Sequence, residues 1–299
     1  MTTTTARQNT AKATHCCPIC GETSATRAFK KQEVSPIFKT LVCSACKFAY
    51  SFPRPTPAQL DEVYSSDYFE GNTGKVGYAD YRDMPEANMH AMWKEFNEYA
   101  PLDDIRPRTI LDVGCATGAF LSGAKAAGWN CIGIDRVDSA LAVAREHYGI
   151  ETINGDIADI DLPLNSIGVA TMWHVLEHLV DPLASLKRAY ELVAPGGLLF
   201  IEVPNWDSLG RVIRGPLWAN LRPPEHISYF STVSLPPAVK QAGFIVIRTS
   251  THYPSIRNQA AEQRFNPIKQ AANLAATIAC SAGRGGYLRV LARKPKTRT

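Results

Sequence analysis

The chain has 299 residues, 45% hydrophobic and 20% charged, with 20 Gly and 20 Pro, which excludes collagen-like, coiled-coil and wholly disordered architectures and leaves room for about two domains. Thirty-two Lys and Arg against 28 Asp and Glu give a formal charge of +4, too weak over this length to require nucleic acid as a partner. No run of about 18 apolar residues reads as a membrane-spanning helix. The first fifteen residues lack the apolar stretch of a secretory signal, and their threonine run disfavours a mitochondrial transit helix. Residues 1–14 are expected to be a disordered tail, and the cytosol is the default compartment.

Five of the eight cysteines lie between Cys16 and Cys46. Four of them form C-P-I-C at Cys17 and Cys20 and C-S-A-C at Cys43 and Cys46. Each C-x2-C lets one tight turn offer two thiolates to the same ion, and two such turns close a tetrahedral all-sulfur site. A redox pair or four ordinary buried thiols are the alternatives, with Cys16 and His15 as possible substitute ligands. The spacing predicts a zinc-binding module over 15–56, with structural Zn2+, because four protein ligands leave no open coordination position. A module this short buries too little apolar surface to fold alone, so the metal supplies much of its stability.

The proline-rich run S-F-P-R-P-T-P at 51–57 reads as a linker or strand exit. Residues 57–107 follow as a helical cap, with helices predicted over 58–68 and 85–99 from apolar and aromatic residues at helical spacing. Between them a loop rich in Gly and Tyr, 71–81, is placed to close over a ligand, with Tyr78 or Tyr81 reaching in; packing of the loop onto the domain is the alternative.

From Arg108 onward strands alternate with helices. T-I-L-D-V (109–113) runs into G-C-A-T-G and a helix, and C-I-G-I-D ends at Asp135 before the amphipathic D-S-A-L-A-V-A-R-E-H-Y. The short E-T-I-N-G ends at Asp156. I-G-V-A-T-M-W leads into H-V-L-E-H-L, Asp181-Pro182 caps a helix over 181–193, and P-G-G precedes L-L-F-I-E-V. This alternation predicts a doubly wound α/β fold, a parallel sheet with helices on both faces and ligands at the carboxyl ends of the strands. Two final strands, 244–250 and 287–294, are expected to pair antiparallel, with a helical insertion over 255–283 acting as a substrate lid or a membrane-contacting element. The α/β domain then occupies 108–299. No internal repeat is visible.

The motif L-D-V-G-C-A-T-G carries most of the functional information. A glycine turn between first strand and first helix presents backbone N–H groups to a ligand, and the helix N-terminus favours a negative group there. Asp135, at the next strand end, is placed to accept hydrogen bonds from both hydroxyls of a ribose, and Asp156 is placed for an adenine amino group. Over roughly 60–298 the sequence resembles the class I S-adenosylmethionine-dependent methyltransferases, whose D/E-x-G-x-G-x-G pattern matches Asp112, Gly114 and Gly118, with Ala116 in place of the middle glycine. The nicotinamide pattern G-x-G-x-x-G is absent. The resemblance implies a Rossmann-like sheet, with S-adenosyl-L-methionine held by Asp112, Gly114, Cys115, Ala116, Gly118, Asp135, Arg136, Asp156, Ile157 and His174, and with Tyr81 over it.

Two further segments, H-V-L-E-H-L-V-D-P (174–182) and R-P-P-E-H-I-S-Y-F-S (222–231), resemble small-molecule methyltransferases of the ubiquinone-pathway and deoxysugar C-methyltransferase type, some of which carry an N-terminal four-cysteine module. The nucleobase N/D-P-P-Y/F motif is absent after the fourth strand, where T-M-W-H stands. A sulfonium methyl is already a strong electrophile, so the enzyme's task is in-line placement, plus a base where an oxygen or carbon acid must lose a proton. His226 is the first candidate base, with Glu225 to orient it and Tyr229 to add a hydrogen bond; a bracing role for His226 is the alternative. His174 is the second candidate. His174 and His178 stand four apart, but no H-E-x-x-H pattern supports a metal there, and Glu177 reads as structural. The expected function is methyl transfer to an oxygen or carbon of a small-molecule acceptor in a biosynthetic or tailoring pathway, nucleic acid being an improbable partner. An RNA methyltransferase using the cysteine module and basic tails to hold phosphates, and a non-catalytic cofactor-binding scaffold, are the alternatives.

Overall fold

A computed structural model describes residues 15–30, 34–63, 86–253 and 267–296. The amino-terminal module consists of β1 (Ala25–Arg27), β2 (Lys39–Cys43) and β3 (Ala49–Phe52). Helix α1 (Pro57–Val63) starts at a capping box: Gln59 N–H donates to Thr56 Oγ1 at 3.4 Å while Gln59 Oε1 accepts from Thr56 N–H at 3.0 Å. Helix α2 (Glu86–Tyr99) buries Phe96 against Phe120 and Phe200. The predicted helix over 58–68 ends at Val63 among the described residues; the rest of it, and the 71–81 loop with Tyr78 and Tyr81, lie outside them.

The main unit follows as β4 (Thr109–Val113), α3 (Ala119–Ala126), β5 (Asn130–Asp135), α4 (Asp138–Tyr148), β6 (Glu151–Asn154), β7 (Ile167–Trp173), α5 (Pro182–Leu192) and β8 (Val193–Pro204). After these come α6 (Leu209–Arg214), β9 (Ser228–Tyr229), α7 (Leu235–Gln241), β10 (Ile245–His252), α8 (Pro267–Ser281) and β11 (Tyr287–Arg293). As predicted, Asp181 caps α5 by accepting from Ala184 N–H at 2.9 Å, with proline in the first turn.

The seven-stranded sheet has the order β10-β11-β8-β7-β4-β5-β6. β4, β5, β6, β7 and β8 pair parallel, and β11 runs antiparallel to both β8 and β10. The doubly wound expectation and the antiparallel last strand are therefore both present. Strand order reverses between β4 and β7, and this crevice at the carboxyl ends is where such sheets take ligands. The central strands are buried on both faces, with Ile110, Leu111, Val169, Ala170, Leu199 and Ile201 all fully inaccessible, as near-continuous apolar runs in a parallel sheet require.

The amino-terminal module is not a separate bead. Strands β1, β2 and β3 form a four-stranded antiparallel sheet whose last member is β9, from the far end of the chain. Cys17, Ile19, Leu41, Phe48 and Tyr50 belong to the same apolar core as Leu111, Leu199 and Phe230, and Phe48 packs on Phe230 with ring centroids 4.8 Å apart. Arg54, in the proline-rich run, reaches two loops of the main unit. Its guanidinium donates to the carbonyls of Ile227 at 2.6 Å, Leu179 at 2.9 Å and Val180 at 2.6 Å. Burial pulls its pKa down to about 10, while the three carbonyl dipoles compensate the buried charge.

Candidate active site

The turn after β4 is built from three residues with left-handed backbone: Gly114 at φ 71°, Ala116 at φ 48° and Gly118 at φ 77°. A Cβ on Gly114 would stand 2.4 Å from Val175 Cγ2, and one on Gly118 2.9 Å from Ala144 Cβ. The first glycine therefore lets β4 meet the loop after β7, and the second lets α3 pack onto α4. Ala116 holds a conformation that costs an L-residue about 1 kcal/mol, and its N–H is fixed by Asp135 Oδ2 at 2.9 Å. Replacing Ala116 by Gly is expected to raise the urea midpoint by the equivalent of about 1 kcal/mol at unchanged slope; a lower midpoint would show that the methyl group is worth more than the strain.

A cavity opens at the carboxyl ends of β4, β5 and β6. Gly114, Asp135, Arg136, Asp156, Ile157 and His174 all line it, together with His178 and Leu179. The other turn residues shape the cavity without lining it. Asp112 is buried, accepts from Thr171 Oγ1 at 2.6 Å, and is pushed up to about 7 by burial. The Cys115 thiol is buried under β5, since a Cβ on Gly133 would fall 2.5 Å from its Sγ. Ala116 and Gly118 contribute backbone geometry. Asp135 also accepts from Val137 N–H at 3.0 Å, so one carboxylate ties the turn after β4 to the start of α4. Asp156 pairs with Arg136 at 2.7 Å.

His174, the first residue after β7, has φ 54° and is flanked by two buried carboxylates: Glu202 Oε1 lies 3.1 Å from Nε2 and Glu177 Oε1 3.6 Å from Nδ1. Burial alone would lower its pKa, but these partners outweigh it and raise His174 to about 10, while Glu202 is held down to about 2. Arg289, the cross-strand neighbour of Glu202 on β11, donates Nε to Glu202 Oε2 and Nη1 to Glu95 Oε1 at 2.7 Å. The antiparallel strand thus fixes His174 as an imidazolium, which has no lone pair with which to take a proton. Its stabilising contribution is fully present below the unfolded pKa of about 6.5 and is lost as pH rises toward about 10. The His174 ring signal in NMR is expected to stay that of the charged form from pH 6 to 8; a midpoint near 6.5 would mean that the two carboxylates do not act on it.

His226 lies at the junction of the loops and is buried. Its Nδ1 is 2.9 Å from the Asn220 carbonyl, which makes it the donor, so Nε2 accepts from Arg222 Nη2 at 3.1 Å. Burial, with His178 and Arg222 nearby, pushes its pKa well below the usual range and keeps it neutral. Glu225 pairs with Arg222 at 3.2 Å, and the same guanidinium donates to His226 Nε2. Tyr229 is buried on β9, and its hydroxyl donates to the His226 carbonyl at 2.6 Å beside Ser51 Oγ at 3.3 Å. The hydrogen bond expected of Tyr229 is thus made to the His226 backbone, from beneath the loop. The H-V-L-E-H-L segment is a turn, not a helix, and ligand atoms of Glu177, His178 and His226 fall within 4.8 Å of one another, a proximity that sequence separation conceals. The Arg222 guanidinium on His226 Nε2 puts a positive charge where a cation would need that lone pair.

The four predicted cysteines do converge. Cys17, Cys20, Cys43 and Cys46 bring their sulfurs within 4.8 Å of one another, with Cys17–Cys46 and Cys20–Cys43 both 3.5 Å apart and none in a disulfide. A tetrahedron with 2.3 Å zinc–sulfur bonds has edges of roughly 3.8 Å, so the cluster fits Zn2+. Burial opposes ionisation of Cys43, but the N–H groups of Cys46 and Ala45 outweigh it and lower its pKa, whereas burial pushes Cys17 up to about 11 and Cys46 higher still, so a bound cation would supply the charge that ionises those two.

A family model described as a methyltransferase domain matches residues 84–249, which is more than half of the chain. The chain belongs to the methyltransferase-domain family. Among curated relatives it is 31% identical over 141 residues to a ubiquinone biosynthesis O-methyltransferase of Pseudomonas paraeruginosa, and 30% identical to that of Pseudomonas putida, in both cases over 40% of this chain and 60% of the relative. The chain thus spans about 60% of the length of the curated relatives it matches. The fold is shared with a SAM-dependent methyltransferase from Archaeoglobus fulgidus, with TM-score 0.53, 18% identity, and coverage of 70% of this chain and 95% of that one. A methyltransferase from Mesorhizobium loti gives TM-score 0.51 and 19% identity over 68% and 98%. Gly114, Asp135 and Asp156 line one cavity at the strand ends, a donor and acceptor set compatible with the methyl donor of such a domain. No described helix is long and apolar enough to cross a membrane.

Proposed function

We propose that the protein transfers a methyl group from S-adenosylmethionine to an oxygen of a small-molecule acceptor in a biosynthetic pathway, with Zn2+ in the cysteine cluster as a structural ion. The observation that carries this reading is the glycine turn at the switch point facing the same cavity as Asp135. Names of relatives that act in ubiquinone biosynthesis support oxygen as the acceptor atom. Gly114, Asp135, Arg136, Asp156 and Ile157 would hold the cofactor. When bound, it supplies an electrophilic methyl whose sulfur takes the electron pair of the broken carbon–sulfur bond. The acceptor oxygen forms the new bond and gives its proton to a base. His226 is the base in this reading: it is neutral, it sits between His178 on the crevice and Asn220, with ring centroids of the two histidines 4.6 Å apart, and its Nε2, held here by Arg222 Nη2, takes the proton only once that guanidinium moves off it. His174, already protonated, contributes charge instead.

Methyl-labelled S-adenosylmethionine, incubated with the protein and a host extract split into RNA, protein, lipid and small-molecule fractions, tests the reading. Label is expected among small molecules; label in RNA would make the cysteine module a recognition element and overturn the acceptor class. The His226→Ala variant is expected to lose at least about 100-fold in turnover while binding S-adenosylhomocysteine within about twofold of wild type. Normal turnover would leave His226 as a brace.

A further inference from the structure

Strand β9 begins two residues beyond His226 and pairs with β3 of the cysteine module, Ala49 standing opposite Tyr229 and Tyr50 opposite Ser228. Ser51 extends the ladder, its N–H donating to the Ile227 carbonyl at 3.0 Å. The Tyr229 hydroxyl spends its one hydrogen on the His226 carbonyl at 2.6 Å, so Ser51 Oγ, 3.3 Å away, is the donor to Tyr229. Ser51, Ile227, Ser228 and Tyr229 are all buried, and away from water such bonds hold their geometry more firmly.

The same loop is tied to the turn after β7. Ile227 and Ser228 both donate N–H to the Glu177 carbonyl at 3.0 Å. Arg54 closes the junction from the module's side: Nη1 donates to the Ile227 carbonyl, and Nη2 to those of Leu179 and Val180, with Ser228 Oγ at 3.3 Å. That turn carries His178 and Leu179, which line the crevice at the strand ends, and His178 is the ring on which His226 packs edge to face. One planar fork of donors thus spans the His226 loop and the wall of the crevice.

We infer that the cysteine module is a positioning element for methyl transfer, with Ser51 and Arg54 as positioning residues that act through Tyr229 and the 227–228 backbone to fix His226 against the crevice. This rests on the reading of His226 as the base and adds the residues that aim it. In-line transfer makes placement matter, since a shift of about 1 Å in a placed group can cost on the order of 100-fold in rate. A two-residue strand cannot hold such a position alone; β3 supplies a paired edge for it.

The full-length Arg54→Met variant tests the inference with three readouts: the rate of label transfer from methyl-labelled S-adenosylmethionine into the small-molecule fraction of the host extract, the affinity for S-adenosylhomocysteine by calorimetry, and the His226 ring N–H signal in NMR. The rate is expected to fall at least about tenfold while the affinity stays within about threefold of wild type. The Nδ1–H signal, held by the Asn220 carbonyl in the intact chain, is expected to shift and broaden. Tyr229→Phe keeps the ring against Trp206, removes only the hydroxyl, and takes over the same three readouts if Arg54→Met does not fold. A wild-type rate or an unmoved His226 signal in the folded variant would overturn the inference, and so would an affinity that falls in step with the rate. Failure of the base reading shows separately, as normal turnover in His226→Ala, whereas the His226 signal in Arg54→Met reports the positioning in either case.

Discussion

Replacing Asp135 by Ala is expected to weaken S-adenosylmethionine binding by on the order of 100-fold, since hydrogen bonds to a charged group contribute about 1.5–3 kcal/mol each. The same carboxylate accepts from Ala116 N–H and Val137 N–H, so its removal both deletes the proposed cofactor contact and frees two donors that shape the turn. The Asp135→Asn variant separates these effects: it keeps an acceptor of the same shape, and a loss nearly as large as in Asp135→Ala would assign the effect to charge. Titration calorimetry with S-adenosylhomocysteine reads the affinity, and a thermal melt reads the turn. Unchanged affinity in both variants would remove Asp135 from the cofactor site.

Stripping the metal is expected to have the other large effect. Native mass spectrometry should find one zinc ion per chain, and a chelator strong enough to remove it should lower the melting temperature by at least about 10 °C. That estimate follows because structural zinc contributes of the order of 10 kcal/mol to small modules, and roughly 1 kcal/mol moves a chain of this size by a few degrees. Cys43→Ser should reproduce the shift, because Cys43 is buried and sits at the end of β2. Since β3 pairs with β9, the chelated protein is expected to lose cooperativity in the main unit as well. A metal-free preparation with an unchanged melting curve would return the cluster to four ordinary thiols.

Much of the fold was legible because its signals are local. The apolar runs of β4 and β7, the Asp181-Pro182 cap and the two C-x2-C turns each depend on a few consecutive residues, and each lies where the pattern put it. What escaped was set by contacts between distant segments. Nothing near Ser228 and Tyr229 announces a strand, because the strand exists only where β3 offers an edge. His226 looks like a free imidazole in R-P-P-E-H-I, yet its environment comes from Asn220, Arg222 and His178 across loops. The charge of His174 depends on Glu202, which is 28 positions away in sequence and adjacent in the sheet. The residues expected to hold the cofactor divide for a similar reason: strand-end acids face the crevice, while Asp112 and Cys115, one residue to either side of the Val113–Gly114 bend, turn into the core.

Proline-rich segments between modules are ordinarily where a chain tolerates cutting, lengthening or the grafting of a new partner. Arg54 reverses that expectation here. Its three carbonyl contacts, to Leu179, Val180 and Ile227, make the apparent seam between 51 and 57 a rivet, because an inserted residue would carry the guanidinium out of reach of loops that border the crevice at the strand ends. The practical domain boundary is therefore absent from the place where composition draws it, and any shortened or chimeric version must carry the cysteine module along with the methyltransferase fold.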